Sequence, residues 1–288
     1  MKALSFIIHS NILIALAALA LTLATQVQLG LEPRPHLYLA LIFLATLFDY
    51  NLHRYLTIYN KHEAFKIEKL KWASEHLNTF GALIILSFGG LVVVLFFLKT
   101  EVLYLLVPLA LLSFLYSFPF PGKQKRNFRL LKIPGMKTFL VAFVWTGATV
   151  LVPVFFDDQS FDNLATILLF AERFTFIFAI AIPFDIRDMQ TDALASLKTI
   201  PIAYGEKNAV KLSNSALLLS FSIATFHYVD AKLLFILPAY LFSIACTFLF
   251  INNKALKNVS FYHHGILDGS IILQGILIFL SYYFLAQN

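Results

Sequence analysis

Residues 164–192 read "LATILLFAERFTFIFAIAIPFDIRDMQTD". The first nineteen are almost all apolar. At 1.5 Å per residue such a helix nearly spans the roughly 30 Å hydrocarbon core of a bilayer. The run then ends in three carboxylates, Asp185, Asp188 and Asp192. Their i, i+3, i+7 spacing puts them on one face of a helix. Like charges so placed repel, so the cluster is costly without a cation. A hard divalent ion such as Mg²⁺ removes the conflict, because it prefers carboxylate oxygens and bridges readily to phosphates. The alternative is an acidic, solvated helix end.

Working outward, the whole chain supports a membrane reading. Of 288 residues, 59% are hydrophobic and 13% charged, and the mean hydropathy is +0.78. Soluble domains carry about 25% charged residues, so a soluble fold is excluded. The only cysteine, Cys246, lies in an apolar run, which excludes an internal disulfide and thiol metal clusters. The N-terminal "MKALSFIIHSNILIALAALALTLAT" is too long in its apolar part for a signal peptide and reads as a first span.

Apolar runs predict an all-α, multi-pass bundle of nine spans, at about 4–25, 36–50, 80–98, 101–118, 137–156, 163–183, 209–229, 232–251 and 265–286, in a single domain over 1–288. With alternate loops on opposite sides, 18 Lys and Arg residues fall on one side. Only Arg34, Lys99 and Lys232 fall on the other. The positive-inside rule then predicts a cytoplasmic N-terminus and an outside C-terminus. The location expected is a bacterial cytoplasmic membrane. The +6 net charge follows from that topology and gives no reason to expect nucleic acid. The long loops 51–79, 119–136 and 184–208 share the cytoplasmic side, where chemistry is expected.

The longer string "FDIRDMQTDALASLKTIPIAYG", residues 184–205, resembles the second aspartate motif of the UbiA superfamily of intramembrane prenyltransferases. Asp185, Asp188, Asp192, Lys198, Thr199, Pro201 and Gly205 fall in register, with Ser196 where the family usually has Gly. The resemblance covers essentially the whole chain. It implies a central cavity in which two aspartate motifs hold Mg²⁺ against the diphosphate of a polyprenyl donor. The prenyl group then passes to a lipophilic, typically aromatic acceptor. On this reading Asp185, Asp188 and Asp192 are catalytic and, with Asp49, hold metal.

The first motif is degraded. Its segment is "TLFDYNLHRYLTIY", residues 46–59, in which "FDYN" echoes "FDIR". Asp49 is its only carboxylate. Leu52, Tyr55 and Tyr59, or Leu52 and Leu56, stand where the resemblance implies aspartates. Two intact motifs would offer about six carboxylates, enough for two Mg²⁺ ions, whereas this chain offers four. Asn51 and Arg54 become candidate substrate-binding residues, Arg54 by direct contact with diphosphate. Interfacial anchoring is the other reading of Asn51, His53 and Arg54.

The stretch "YSFPFPGKQKRNFRLLKIPGMKTFL", residues 116–140, also resembles the family. It makes Lys125, Arg126, Lys132 and Lys137, with Lys198, candidate diphosphate ligands. Attraction to anionic lipid accounts for such loops equally well.

Charges inside spans are costly and face the bundle interior. Glu172 lies about 20 Å along the helix from Asp185; with Arg173 it reads as either a cavity lining or an interhelical ion pair. Asp268 sits in the last span, and His263 and His264 read as interfacial. A non-catalytic binder of an isoprenoid or quinone is the second function class. A transporter, suggested by Glu172, Arg173 and Asp268, is the third.

Overall fold

The computed structural model describes residues 2–60, 75–117, 133–156 and 163–285, and among these the regular structure is all helix. The helices are α1 (Lys2–His9), α2 (Ile12–Gln28), α3 (Leu37–Asn60), α4 (Leu77–Leu95), α5 (Thr100–Ser117) and α6, which runs from Met136 through a π-helical turn at Gly147–Leu151 to Phe156. Then come α7 (Asn163–Arg187), the short α8 (Met189–Leu194) and α9 (Ile200–Tyr204), α10 (Glu206–Asp230) and α11 (Leu237–Asn252). The last, α12, opens as a π turn at Tyr262–Leu267 and continues to Leu285. Helices suit this composition because in lipid every backbone N–H and C=O must find its partner within the segment.

Six helices among the described residues are long and apolar enough to cross a membrane: α4, α6, α7, α10, α11 with its leading turn, and α12. Helix α2 and residues Thr100–Phe114 of α5 are apolar but shorter. Helix α3 has 24 residues but is polar in its second half. The expected count of nine spans is therefore not reached. Apolar side chains on the outside, such as Ile85 at 72% and Phe96 at 82% exposure, need lipid to cover them. The chain is an integral membrane protein.

Two expectations need correcting. The first apolar run is not one span. It breaks at Asn11, which takes a left-handed conformation (φ 63°, ψ 13°) between α1 and α2. Asn tolerates that region better than most residues, and its buried amide donates to Asn51 Oδ1 on α3 at 3.1 Å. The second correction is that α3 does not stop near residue 50. It carries Asn51, His53 and Arg54 onward as helix.

Helix α2 packs against both α3 and α12, so the two ends of the chain meet. Helix α7 packs against α6 and α10, and 56% of its span is buried, against 17% for α4. The charged end of α7 is thus the end of a central helix.

The α2–α12 contact depends on Gly275, where a Cβ would come within 2.6 Å of the Ala20 backbone. A backbone atom cannot swing aside. Gly275→Ala should therefore lower stability by about 1–3 kcal/mol, read as a lower thermal midpoint in detergent. Gly269→Ala on the same helix, with nothing within 4 Å of the new Cβ, is the control and should be neutral. Equal midpoints for the two variants would show that the α2–α12 seam is looser than described.

Candidate functional site

Helix α7 ends at Arg187, and α8 begins after Asp188, whose backbone leaves helical geometry (φ −91°, ψ 5°). The ladder is barely interrupted: Asp188 N donates to Phe184 O at 3.0 Å and Asp192 N to Asp188 O at 2.8 Å. The small bend separates the three carboxylates. Asp185 and Asp192, both buried, turn toward the start of α6. There Lys137 Nζ lies 3.2 Å from Asp185 and 2.7 Å from Asp192, and Thr138 Oγ1 donates to Asp185. Asp188 instead pairs with Arg187, whose Nε and Nη2 reach its two oxygens at 2.7 and 2.9 Å.

So the chain carries its own counter-ions. An ammonium bridges two of the aspartates and a guanidinium holds the third. The carboxyl groups outside the span respond differently. Burial raises the Asp188 carboxyl, but the hydrogen bond and charge of Arg187, helped by Lys137 and His263, prevail and hold it below the usual range. Burial lifts the Asp192 carboxyl above its usual range, and the nearby Asp185 and Asp188 add to this against the pull of Lys137.

Beyond Asp192 the chain must turn back on itself. Leu197 N closes on Asp192 O at 2.9 Å, and Ser196 is left-handed, with φ 58°. That conformation is the physical reason for a glycine at this point of the motif, and Ser pays a modest strain to occupy it. Gly205, at φ 81° and ψ 156°, occupies a region closed to L side chains. Lys198 has an exposed side chain, while its carbonyl accepts from Gly135 N at 3.2 Å. The motif is thereby tied to the start of α6, one turn from Lys137.

A second line of groups runs from the same corner. Arg187 Nη1 donates to His264 Nε2 at 2.8 Å. A guanidinium offers no acceptor, so the imidazole proton is on Nδ1, facing Asp268 Oδ2 at 3.6 Å. The π turn opening α12 sets His263 and His264 beside Phe184. His264 has both carboxylate and arginine support, which the interfacial reading of these histidines did not include. The i, i+4 spacing of His264 and Asp268 was the available signal. Arg187 and Thr138 were missed as site residues, since neither stands out without its neighbours in space.

From α3, Arg54 comes close enough to Arg187 and Asp268 for their charges to act on it. Asp49 is held elsewhere, accepting from Ser113 Oγ on α5 at 3.0 Å. Among the described residues no hydrogen bond or ion pair joins it to the α7 cluster. Asn51 is fully buried, with its amide committed to Asn11 and to Leu47 O. Lys125, Arg126 and Lys132 lie outside the described residues.

Glu172 and Arg173 form a separate, fully buried network. Glu172 Oε1 accepts from Gln28 Nε2 at 2.6 Å and Tyr228 OH at 2.8 Å, and Oε2 lies 3.3 Å from His227 Nδ1. Arg173 donates to Gln28 Oε1 at 2.5 Å, to Thr149 Oγ1 and Leu21 O at 3.2 Å each, and to Thr25 Oγ1 at 3.4 Å. Gln28 thus bridges the two charges, and with Arg173 on Thr149 the network ties α2, α6, α7 and α10 together. Both groups are consumed by this packing, which favours the interhelical reading over a cavity lining.

The donor chemistry of Asp185 and Asp192 suits one hard cation, and the Lys137 ammonium already stands between them. A divalent ion fits there by displacing it, with Asp188 nearby. The α3 side is different. It offers Asp49 alone, turned to Ser113. Among all the described residues, the α7 cluster included, no three His, Cys, Asp or Glu side chains are grouped to hold a metal. The Asp185–Asp192 pair is thus the place where one ion would sit, in exchange for the Lys137 ammonium.

The chain belongs to the UbiA prenyltransferase family, whose pattern matches residues 71–264. That match begins beyond Asp49, Asn51 and Arg54. Three solved structures share the fold. A UbiA homolog from Archaeoglobus fulgidus bound to GPP and Mg²⁺ is 14% identical, with a TM-score of 0.60 over 95% of this chain and 99% of that one. A UbiA homolog from Aeropyrum pernix K1 in its apo form is 14% identical, with a TM-score of 0.60 over 93% and 96%. A digeranylgeranylglyceryl phosphate synthase is also 14% identical, with a TM-score of 0.56 over 98% of each chain. No curated protein matches the chain.

Proposed function

We propose that this chain transfers a prenyl group from a prenyl diphosphate to a lipophilic acceptor within the membrane. The observation that carries the reading is the meeting of Asp185, Asp188 and Asp192 with Lys137 and Arg187 at the end of a central, buried helix. Family membership and the GPP- and Mg²⁺-bound relative support it.

In the transfer, the allylic C–O bond breaks with its electron pair leaving on the diphosphate. The acceptor then bonds to the allylic carbon and gives up a proton. Lys137 and Arg187 are the residues placed to bind the diphosphate and to stabilise the charge that grows on it. A Mg²⁺ ion held by Asp185 and Asp192 would add Lewis-acid stabilisation of the same leaving group. Lys137, released from the two carboxylates, would turn to the phosphates. Tyr50 and Trp145, whose rings meet edge to face at 6.4 Å, lie on α3 and α6 below these charges. Their faces can shield an allylic cation from water.

One observation favours a second reading, a member that binds prenyl diphosphate without transferring it: Asp49 is engaged by Ser113 and no other carboxylate stands on α3. The experiment separates the two. Purified protein in lipid nanodiscs is incubated with labelled geranyl and geranylgeranyl diphosphate, Mg²⁺ and a membrane lipid extract, and products are read by mass spectrometry. Transfer predicts pyrophosphate release with a matching prenylated lipid. Saturable binding with neither product establishes the second reading, and no binding overturns both.

A further inference from the structure

Resting on the diphosphate reading above, we propose that Arg54 is a diphosphate-binding residue that takes the place of a second metal ion, so that this chain engages its anionic ligand with one divalent cation. Arg54, on α3, is acted on by the charges of Arg187 and Asp268, both of which meet His264. Its Nη1 is closed off from solvent and has no hydrogen-bond partner. A guanidinium N–H with neither water nor acceptor is costly to keep. The cost is removed once an anion arrives.

The neighbours point the same way. Arg187 is a like charge that acts on Arg54, and it is itself hydrogen-bonded to Asp188 and His264. Two guanidinium groups drawn together repel unless an anion lies between them. Asp268 attracts Arg54, yet Nη1 is left without a hydrogen-bond partner. The positions around Arg54 on α3, Leu52, Tyr55 and Leu56, carry no charge, and Asp49 is turned to Ser113. Helix α3 therefore presents a cation to the site. A planar fork of donors is matched to phosphate oxygens and can bond two at once.

Charge sets the need for a divalent ion, and the ligand set limits the number. Lys137, Arg187 and Arg54 face Asp185, Asp188, Asp192 and Asp268, which leaves one negative charge in excess. A prenyl diphosphate adds about three more, and cations that bridge phosphates supply two charges each. With no ion the excess is severe. One ion brings the excess down to about two negative charges. The second ion has no ligands waiting, because its would-be carboxylates on α3 are Leu and Tyr.

The test uses the full chain in detergent, with geranyl S-thiolodiphosphate as a non-ionising probe, titrated calorimetrically at several Mg²⁺ concentrations. The expected slope of log affinity against log Mg²⁺ is about one. Arg54→Gln should weaken binding roughly 10- to 100-fold at fixed Mg²⁺, as loss of a charged hydrogen-bonding partner does. Arg54→Lys should recover part of it. Unliganded thermal stability of Arg54→Gln should be unchanged or higher, since its Nη1 is buried without a partner. A slope of two, unaltered binding in Arg54→Gln, or a lowered unliganded midpoint in that variant each overturns the inference alone. Absence of binding by the unaltered chain overturns the diphosphate reading and this inference with it.

Discussion

Replacing Asp188 by Asn should reduce prenyl transfer about 100-fold or more, or diphosphate binding if transfer is absent, a loss typical of groups that stabilise charge developing on a leaving group. The substitution keeps shape and removes one charge. Asp188 grips Arg187 through both oxygens, and Arg187 in turn orders His264. Without the carboxylate the guanidinium loses its anchor and a divalent ion loses a nearby ligand. Asp49→Asn should cost far less, because Asp49 faces Ser113 away from this cluster. Turnover and Mg²⁺-dependent binding of both variants, measured side by side, check the claim. Unchanged behaviour of Asp188→Asn would reduce the cluster to an acidic helix end. Equal, severe losses at both positions would mean that Asp49 completes a two-sided site. Acidification should follow a matching order. Asp192, whose carboxyl is raised, protonates first and loosens Lys137, while Asp188, held low, keeps Arg187 until the pH falls further.

Glu172→Ala should be the most destabilising single change away from that site, by about 3–5 kcal/mol, the usual cost of breaking a buried charge pair from one side. It leaves Arg173 fully buried without its compensating charge, and strips partners from Gln28, Tyr228 and His227. Unfolding in mixed detergent micelles, followed by helical signal, provides the measurement. The double change Glu172→Ala with Arg173→Met should cost clearly less than the sum of the two single changes, because it removes both buried charges together. Strict additivity would show that the two charges do not support each other through Gln28. Prenyl diphosphate affinity should be little altered wherever the protein still folds, since the network lies remote from the α7 terminus. A selective loss of binding in a fully folded Glu172 variant would return Glu172 to the functional site.

The sequence by itself determined the helical membrane class, the family and the position of the acidic cluster. These are written locally: apolar runs compel helix in lipid, and the Asp185-to-Gly205 motif holds its spacing within one stretch. Even the departure at Ser196 was visible as a missing glycine, though its left-handed backbone was not. The six helices that meet the length and apolarity of a span were legible in the same way. The Asn11 break was not, because it depends on an amide bond to Asn51 forty residues away.

Tertiary structure alone decided which charges meet. Lys137 stood as one basic candidate among six, and only packing of α6 against α7 makes it the bridge between Asp185 and Asp192. Arg187 and His264, 77 residues apart in sequence, become neighbours because α12 opens with a π turn beside Phe184. Gln28 reaches Glu172, Arg173 and Tyr228 across as many as 200 residues. Hydropathy and motif spacing report what a segment needs, water or lipid, helix or turn. The partner that satisfies a buried charge is chosen by which helices pack together, and that choice is a property of the whole bundle.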